Sequence, residues 1–240
     1  MSKRNTLLLI FFIFLLSNCK KTSNESATPS FKLEFEDDFS GTYVDQSKWS
    51  LYNSPGNAGF GLRRPEAFSV VDGNLIVTAQ MVNGMLVSGG MCRKTAMTYG
   101  KYEFRVRTEN DTSESTSGVI LTWPQSNRCP EDGENDMYET GTDPNRSSFH
   151  TFIHYGTSPH TQYLYEHSVD ATKWQIVSME WTRDYIKVYR NNELVWVITD
   201  QVAIPDVPHV VCIQLDAWKQ TMSGTVRMYV DWIKVYSLEN

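Results

Sequence analysis

The chain has 240 residues, of which 40% are hydrophobic and 12% aromatic, enough to build the core of one globular domain. Its net charge is −6, and because residues 1–30 contribute +3, residues 31–240 carry −9. An acidic domain without a basic stripe argues against nucleic-acid binding, so we expect no nucleic-acid partner. We expect a monomer.

The N-terminal residues 1–19 resemble a bacterial lipoprotein signal peptide. Two basic residues precede the apolar run TLLLIFFIFLL at 6–16, which is shorter than the roughly 20 residues that span a bilayer. The segment ends with LSNC, a lipobox-like tetrapeptide that would make Cys19 the lipidated residue. We therefore expect export and lipid anchoring to the cell envelope, with residues 20–30 as a polar tether. An ordinary secretory signal with an incidental Cys is the alternative.

Three cysteines remain beyond the signal segment: Cys92, Cys129 and Cys212. An odd number allows at most one internal disulfide in an exported chain. Cys92 and Cys129 both lie in loop-like sequence, which makes that pair conceivable, but the spacing does not fix the pairing.

From residue 31 onward the dominant pattern is period-two alternation interrupted by turns, which is typical of strands. The dipeptides Asp72-Gly73 and Asn191-Asn192 each sit between two apolar runs and predict tight hairpins. The predicted strands lie within 68–79, 101–107, 118–123, 149–155, 174–181, 185–197, 210–218 and 225–236. Many short strands and no amphipathic helix predict one all-β domain over 31–240, an antiparallel sandwich or jelly roll.

The stretch GENDMYETG at 133–141 places three carboxylates, Glu134, Asp136 and Glu139, within six positions. In a regular strand Glu134 and Asp136 share a face while Glu139 points to the other side. One extra residue between Asp136 and Glu139, a β-bulge, would bring all three to one face. On motif form alone, an acidic loop or a calcium site explains the stretch equally well.

The surrounding sequence resembles glycoside hydrolase family 16, the laminarinase-like group whose catalytic strand has an ExDxxE motif and a bulge. The resemblance covers nearly all of 31–240 in the family's order. It includes FEDDFSGTYVDQSKW (35–49), DGNLIVTA (72–79), YGKYEFRVRT (99–108), WTRDYIKVYRNNELVW (181–196) and MYVDWIKVY (228–236). It implies a concanavalin A-like β-jelly-roll of two curved antiparallel sheets, and a polysaccharide hydrolase that cleaves internal bonds with retention of configuration.

Carried over by position, the resemblance implies Glu134 as nucleophile and Glu139 as general acid and base. Asp136 would orient Glu134 and share its proton. Clustered carboxylates cannot all ionise cheaply, so at least one pKa should be raised enough for that group to act as an acid near neutral pH.

The resemblance also suggests substrate-binding residues. Trp123 and Trp218 would stack on sugar rings, although most of the seven tryptophans should belong to the core. His154 would reach the cleft beside Glu139, whereas His150 is expected to be structural. Arg63 stands near the place where the commoner laminarinase pattern has an Asn-Glu pair, and we expect it to bind substrate hydroxyls or an anionic substituent, or to form a surface salt bridge.

The same resemblance implies no cofactor for catalysis and a structural calcium held near Asp38, Gly73 and Asp231, since oxygen ligands suit that ion. The expected activity is hydrolysis of β-1,3- or mixed β-1,3/1,4-glucan. Two alternatives remain open: a family member that acts on a galactan of the agar, porphyran or keratan type, and a non-catalytic carbohydrate-binding jelly roll.

Overall fold

The computed structural model describes residues 29–158 and 161–239. The expected signal peptide with Cys19, and the tether as far as residue 28, lie outside the described residues. No helix within the described ranges is long and apolar enough to cross a membrane.

Almost all regular secondary structure in the described residues consists of β-strands. In chain order they are β1 Phe31–Asp37, β2 Trp49–Leu51, β3 Ser54–Pro55, β4 Leu62–Arg63, β5 Phe68–Val71, β6 Asn74–Val82, β7 Met85–Arg93, β8 Gly100–Thr108, β9 Thr116–Pro124, β10 Glu134–Glu139, β11 Phe149–His154, β12 Gln162–His167, β13 Gln175–Trp181, β14 Ile186–Arg190, β15 Glu193–Ile198, β16 His209–Ala217 and β17 Thr225–Leu238. Two short 3₁₀ turns, Asn57–Gly59 and Pro65–Ala67, interrupt them.

The strands form two curved antiparallel layers, the jelly roll that the sequence predicts. One layer, here called the cleft sheet, has the order β2-β7-β16-β9-β10-β11-β12. In the other, the outer sheet, β17 pairs with β1, β6 and β8, and β13, β14 and β15 follow β8. Strand β7 joins the layers because it pairs with β6 at one end and with β16 at the other.

The core lies between the layers and follows from the alternation. In β8, for example, Tyr102, Phe104 and Val106 are buried while the residues between them are partly exposed. Both predicted hairpin turns are present, and each has positive φ at both central residues, as a type I′ turn requires.

Strand β7 was not among the predicted strands because Gly89 and Gly90 interrupt its pattern. These glycines have a packing reason. A Cβ on Gly90 would lie 2.5 Å from the Tyr52 ring, and one on Gly89 would lie 2.8 Å from the Phe68 ring. The two aromatic rings therefore take the space that β7 leaves free.

Candidate active site

Strand β10 contains the bulge that the carboxylate spacing requires. Against β9, Asp136 pairs with Leu121 and Tyr138 with the adjacent Ile120, so that Met137 has no partner of its own. Against β11 the register also shifts between Asp136 and Glu139. The extra residue resets the alternation of the strand.

Side chains of β10 that point into the core stabilise the bulge. Met137 and Tyr138 are consecutive, yet both are fully buried in the hydrophobic core. The Tyr138 hydroxyl lies 3.0 Å from Thr108 Oγ1 in the outer sheet, and Asn135 donates a 3.0 Å hydrogen bond to Thr122. Tyr138 therefore points away from the cleft, and Glu139 takes the cleft side.

All three carboxylates line one cavity of about 730 Å³ on the face of the cleft sheet opposite the core. The cavity also has aromatic, basic and amide side chains, among them Tyr52, Arg63, Trp123, Asn127, His154, Gln214, Asp216 and Trp218. A second cavity of about 250 Å³ adjoins Glu139 and Trp218 and is lined by His150 and Phe152. Together these cavities give a groove that extends to both sides of the carboxylates.

Glu134 lies at the start of β10, where the loop before the strand covers it. The Cys129 thiol donates a 3.1 Å hydrogen bond to Glu134 Oε2. Burial, and next the nearby Asp136 carboxylate, raise the pKa of Glu134 to about 8.

Asp136 is the most buried of the three acids, with 3% of its surface exposed. Its Oδ2 lies 3.0 Å from His154 Nε2, while Oδ1 is buried without a hydrogen-bond partner. Burial, and then repulsion from Glu139, raise its pKa well above the usual value. A proton shared with Glu134 would satisfy the unpartnered oxygen.

Glu139 lies at the other end of the bulge. Burial, followed by the charges of Asp216 and Glu134, raises its pKa to about 7. A carboxyl group with that pKa keeps its proton in weakly acidic solution and can donate it to a leaving group near neutrality.

Arg63 is not a surface salt bridge. Its Nε and Nη2 donate hydrogen bonds of 2.9 and 2.6 Å to Asp216 Oδ1, and both side chains are largely buried in the cavity wall. Burial raises the pKa of Asp216, and the Arg63 charge opposes that rise. The pair thus forms a rigid polar wall near Glu139.

The two predicted stacking tryptophans lie at opposite ends of the groove. Trp123 follows Thr122, the partner of Asn135, beside the Glu134 end, and its indole nitrogen donates a 2.9 Å hydrogen bond to Asn127. Trp218 is 43% exposed and shares the smaller cavity with Glu139. Aromatic surfaces of this kind bind the C–H faces of sugars.

His154 lines the same cavity as Glu139. In the β10–β11 register it lies opposite Glu134, and His150 lies opposite Glu139. The hydrogen bond of His154 is to Asp136, at the Glu134 end of the cluster, while His150 lines the smaller cavity beside Glu139.

The disulfide is not the Cys92–Cys129 pair. Cys92 and Cys212 are directly opposite each other on β7 and β16 and form the bridge, while Cys129 is a free thiol. The sequence places Cys92 and Cys212 120 residues apart, and only the sheet register brings them together.

The expected calcium ligands lie in one region of the outer sheet. Asp37, next to Asp38, pairs with Ile233, while Leu75, two residues after Gly73, pairs with Val230. Between these partners on β17, Asp231 forms an ion pair with Arg105. The Arg105 guanidinium already occupies the carboxylate that calcium would need, so a calcium ion would bind here only in competition with this ion pair.

One other group of side chains has the composition of a metal site. Ligand atoms of Glu134, Asp136 and His154 lie within 4.8 Å of one another, the one such cluster within residues 29–158 and 161–239. This cluster is part of the carboxylate site described above. The raised pKa values of Glu134 and Asp136 mean that bound protons, rather than a metal ion, can reduce its negative charge.

Several residues of the site are absent from the sequence-based prediction, among them Tyr52 and Asp216 in the cavity wall and Cys129 beside Glu134. Cys129, in the loop five residues before Glu134, had the clearest signal, since an unpaired thiol remained after any one disulfide. Asp216 and Tyr52 lie on or beside strands that are distant in sequence from the acidic motif, and no local pattern connects them with it.

Comparison with known proteins identifies the family and the fold. A family model described as glycosyl hydrolases family 16 matches residues 62–234. A search of curated proteins gives no match. Solved structures with the same fold include the laminarinase catalytic domain of Thermotoga petrophila (TM-score 0.77, 19% identity, covering 89% of this chain and 100% of that one) and the laminarinase of Rhodothermus marinus (TM-score 0.76, 21% identity, 88% and 99%).

The family model spans most of the chain, including the bulged strand and both cavity-lining tryptophans. The chain therefore belongs to glycosyl hydrolases family 16 and is a glycoside hydrolase.

Proposed function

We propose that the protein is a retaining endo-glycosidase that hydrolyses internal β-linkages of a polysaccharide, with β-1,3- or mixed β-1,3/1,4-glucan as substrate. The observation that carries the proposal is the bulge in β10, which turns Glu134, Asp136 and Glu139 to one cavity. Retaining glycosidases need two carboxyl groups on opposite sides of the scissile bond, one as nucleophile and one as acid and base.

In the first step the Glu134 carboxylate attacks the anomeric carbon while Glu139 transfers its proton to the glycosidic oxygen. The carbon–oxygen bond breaks, and the leaving sugar departs with that proton. In the second step the Glu139 carboxylate takes a proton from water, whose oxygen attacks the same carbon and releases Glu134. Asp136, held by His154, takes up the proton that Glu134 must lose before it attacks.

The groove supports cleavage within a chain. Trp123 lies beside the Glu134 end and Trp218 beside the Glu139 end, so sugar units on both sides of the scissile bond have an aromatic surface. The structural neighbours include an endo-1,3-β-glucanase catalytic domain and a non-specific endo-β-1,3(4)-glucanase, which supports a glucan as the substrate.

Product analysis of the full chain tests the proposal on laminarin, lichenan, agarose, porphyran, carrageenan and keratan. We expect oligosaccharides from laminarin or lichenan. Glu134→Gln should abolish turnover and keep binding, whereas Glu193→Gln, an exposed carboxylate on β15 of the outer sheet, should be fully active. Turnover of a galactan alone would assign the galactan alternative. Binding without turnover of any polysaccharide would make the protein a carbohydrate-binding jelly roll.

We also propose that the protein is exported and anchored to the cell envelope through a lipid on Cys19, with residues 20–30 as the tether. The support is the signal-like sequence of residues 1–19. Cys19→Ser should move the protein from the membrane fraction to the soluble fraction of the cells that express it. Membrane association that survives this substitution would refute the anchor.

Catalysis in this scheme requires no cofactor. Calcium at Asp38, Gly73 and Asp231 stays a separate prediction, in which the ion must compete with Arg105 for the Asp231 carboxylate. A melting temperature that rises in calcium and falls again in a chelator would support the site, and an unchanged melting temperature would remove it.

A further inference from the structure

The free thiol of Cys129 lies against the carboxylate proposed as the nucleophile. It is half-buried, and its Sγ is 3.1 Å from Glu134 Oε2. We propose that Cys129 is a positioning residue for the reaction: its S–H orients Glu134 and stabilises the ionised form that attacks the sugar. This inference rests on the proposed function, because it takes Glu134 as the nucleophile.

The thiol can act only as a donor in this position. Burial and the charges of Glu134, Asp136 and Glu131 raise the pKa of Cys129 far above its usual value, so the sulfur keeps its proton at neutral pH. An S–H group next to a carboxylate donates its hydrogen to the oxygen. Cys129 thereby favours the charged form of Glu134, in opposition to burial and Asp136.

The loop that carries Cys129 is held in place from several sides. Arg128 donates hydrogen bonds of 2.8 and 3.0 Å to the two oxygens of Asp132, and Ser126 donates one to the same carboxylate. His209 Nε2, on β16, donates to the Asp132 carbonyl at 2.9 Å. These hydrogen bonds fix the loop, and with it the position of the Cys129 thiol beside Glu134.

The other charged groups around Glu134 do not replace this donor. Among the described residues, Cys129 provides the one side-chain hydrogen bond to Glu134 that does not come from another carboxyl group. The groups that face the site are Asp136 and Glu139 on β10, His154 on β11, Asp216 on β16, Arg63 on β4 and Glu131 in the loop.

The matched pair Cys129→Ala and Cys129→Ser tests the inference in the full-length protein. Activity requires ionised Glu134 together with protonated Glu139. On the acidic side of the pH profile, kcat/KM is therefore proportional to the ionised fraction of Glu134, and on the alkaline side to the protonated fraction of Glu139. Loss of the donor in Cys129→Ala should lower kcat/KM roughly three- to tenfold on the acidic side and leave the alkaline side unchanged. Cys129→Ser keeps a hydroxyl donor and should retain the wild-type profile.

A role in packing alone would give a different result. Equal loss of kcat/KM at every pH, equal loss in both variants, or no loss in either would each overturn the inference. If the wild-type protein turns over none of the polysaccharides, the proposed function fails and unfolding still tests the hydrogen bond. The stability lost in Cys129→Ala should then increase as pH rises through the pKa of Glu134, and a pH-independent loss would refute the bond to the ionised carboxylate.

Discussion

Replacing Glu134 by Gln removes a carboxyl group whose ionisation is disfavoured by burial in the folded protein. Its pKa rises from 4.5 to about 8 in the folded protein, chiefly because of burial. A carboxyl group with a raised folded-state pKa binds its proton more tightly in the folded than in the unfolded chain. Its contribution to stability is therefore complete below pH 4.5 and is lost as the pH rises through about 8.

The size of this effect follows from the pKa difference. One pKa unit corresponds to about 1.4 kcal/mol. As the pH rises from about 5 to about 8.5, the free energy of unfolding of the wild type should therefore fall by about 4 kcal/mol because of Glu134. Gln has nearly the same shape and no charge to bury, so Glu134→Gln should escape this loss. The variant should be inactive and yet more stable than the wild type in alkaline solution.

Denaturant unfolding of both proteins across this pH range measures the difference, with Glu193→Gln as the control for an exposed carboxylate. The advantage of Glu134→Gln should grow steadily with pH, while Glu193→Gln should follow the wild type. A constant difference, or a variant that becomes less stable as the pH rises, would refute the raised pKa and the proton sharing that depends on it.

Three further predictions concern the walls and floor of the groove. Trp123→Ala and Trp218→Ala should each raise KM on long polysaccharides by roughly five- to tenfold, because each removes one stacking surface; unchanged KM in both would place the substrate elsewhere. Asp216→Asn removes a charge that raises the pKa of Glu139, so kcat/KM should fall on the alkaline side only, and a fall on the acidic side would contradict that role. Reduction of Cys92–Cys212 should lower the free energy of unfolding by about 2–4 kcal/mol, and an unchanged midpoint in reductant would show that the bridge adds nothing.

The sequence predicts those features that local patterns determine. Alternation predicts the buried faces of strands such as β8, and the dipeptides Asp72-Gly73 and Asn191-Asn192 predict two hairpins. The bulge is also a local feature, because the spacing of Glu134, Asp136 and Glu139 fits one face only if the strand has an extra residue.

Features that depend on pairing between distant strands are not predictable in this way. The register of β7 against β16 pairs Cys92 with Cys212 and leaves Cys129 free beside Glu134. The same sheet order brings Asp216 near Glu139. The register of β11 against β10 also places His154 opposite Glu134 and His150 opposite Glu139.

In the proposed double displacement, Glu134 attacks the sugar and Glu139 supplies and recovers the proton. Proton NMR of the first products released from laminarin tests it most directly, because two successive inversions preserve the configuration at the anomeric carbon. We expect the β-anomer of the new reducing end to appear first and then to equilibrate with the α-anomer. Initial release of the α-anomer would show a single inversion and would contradict the assignment of Glu134 as nucleophile.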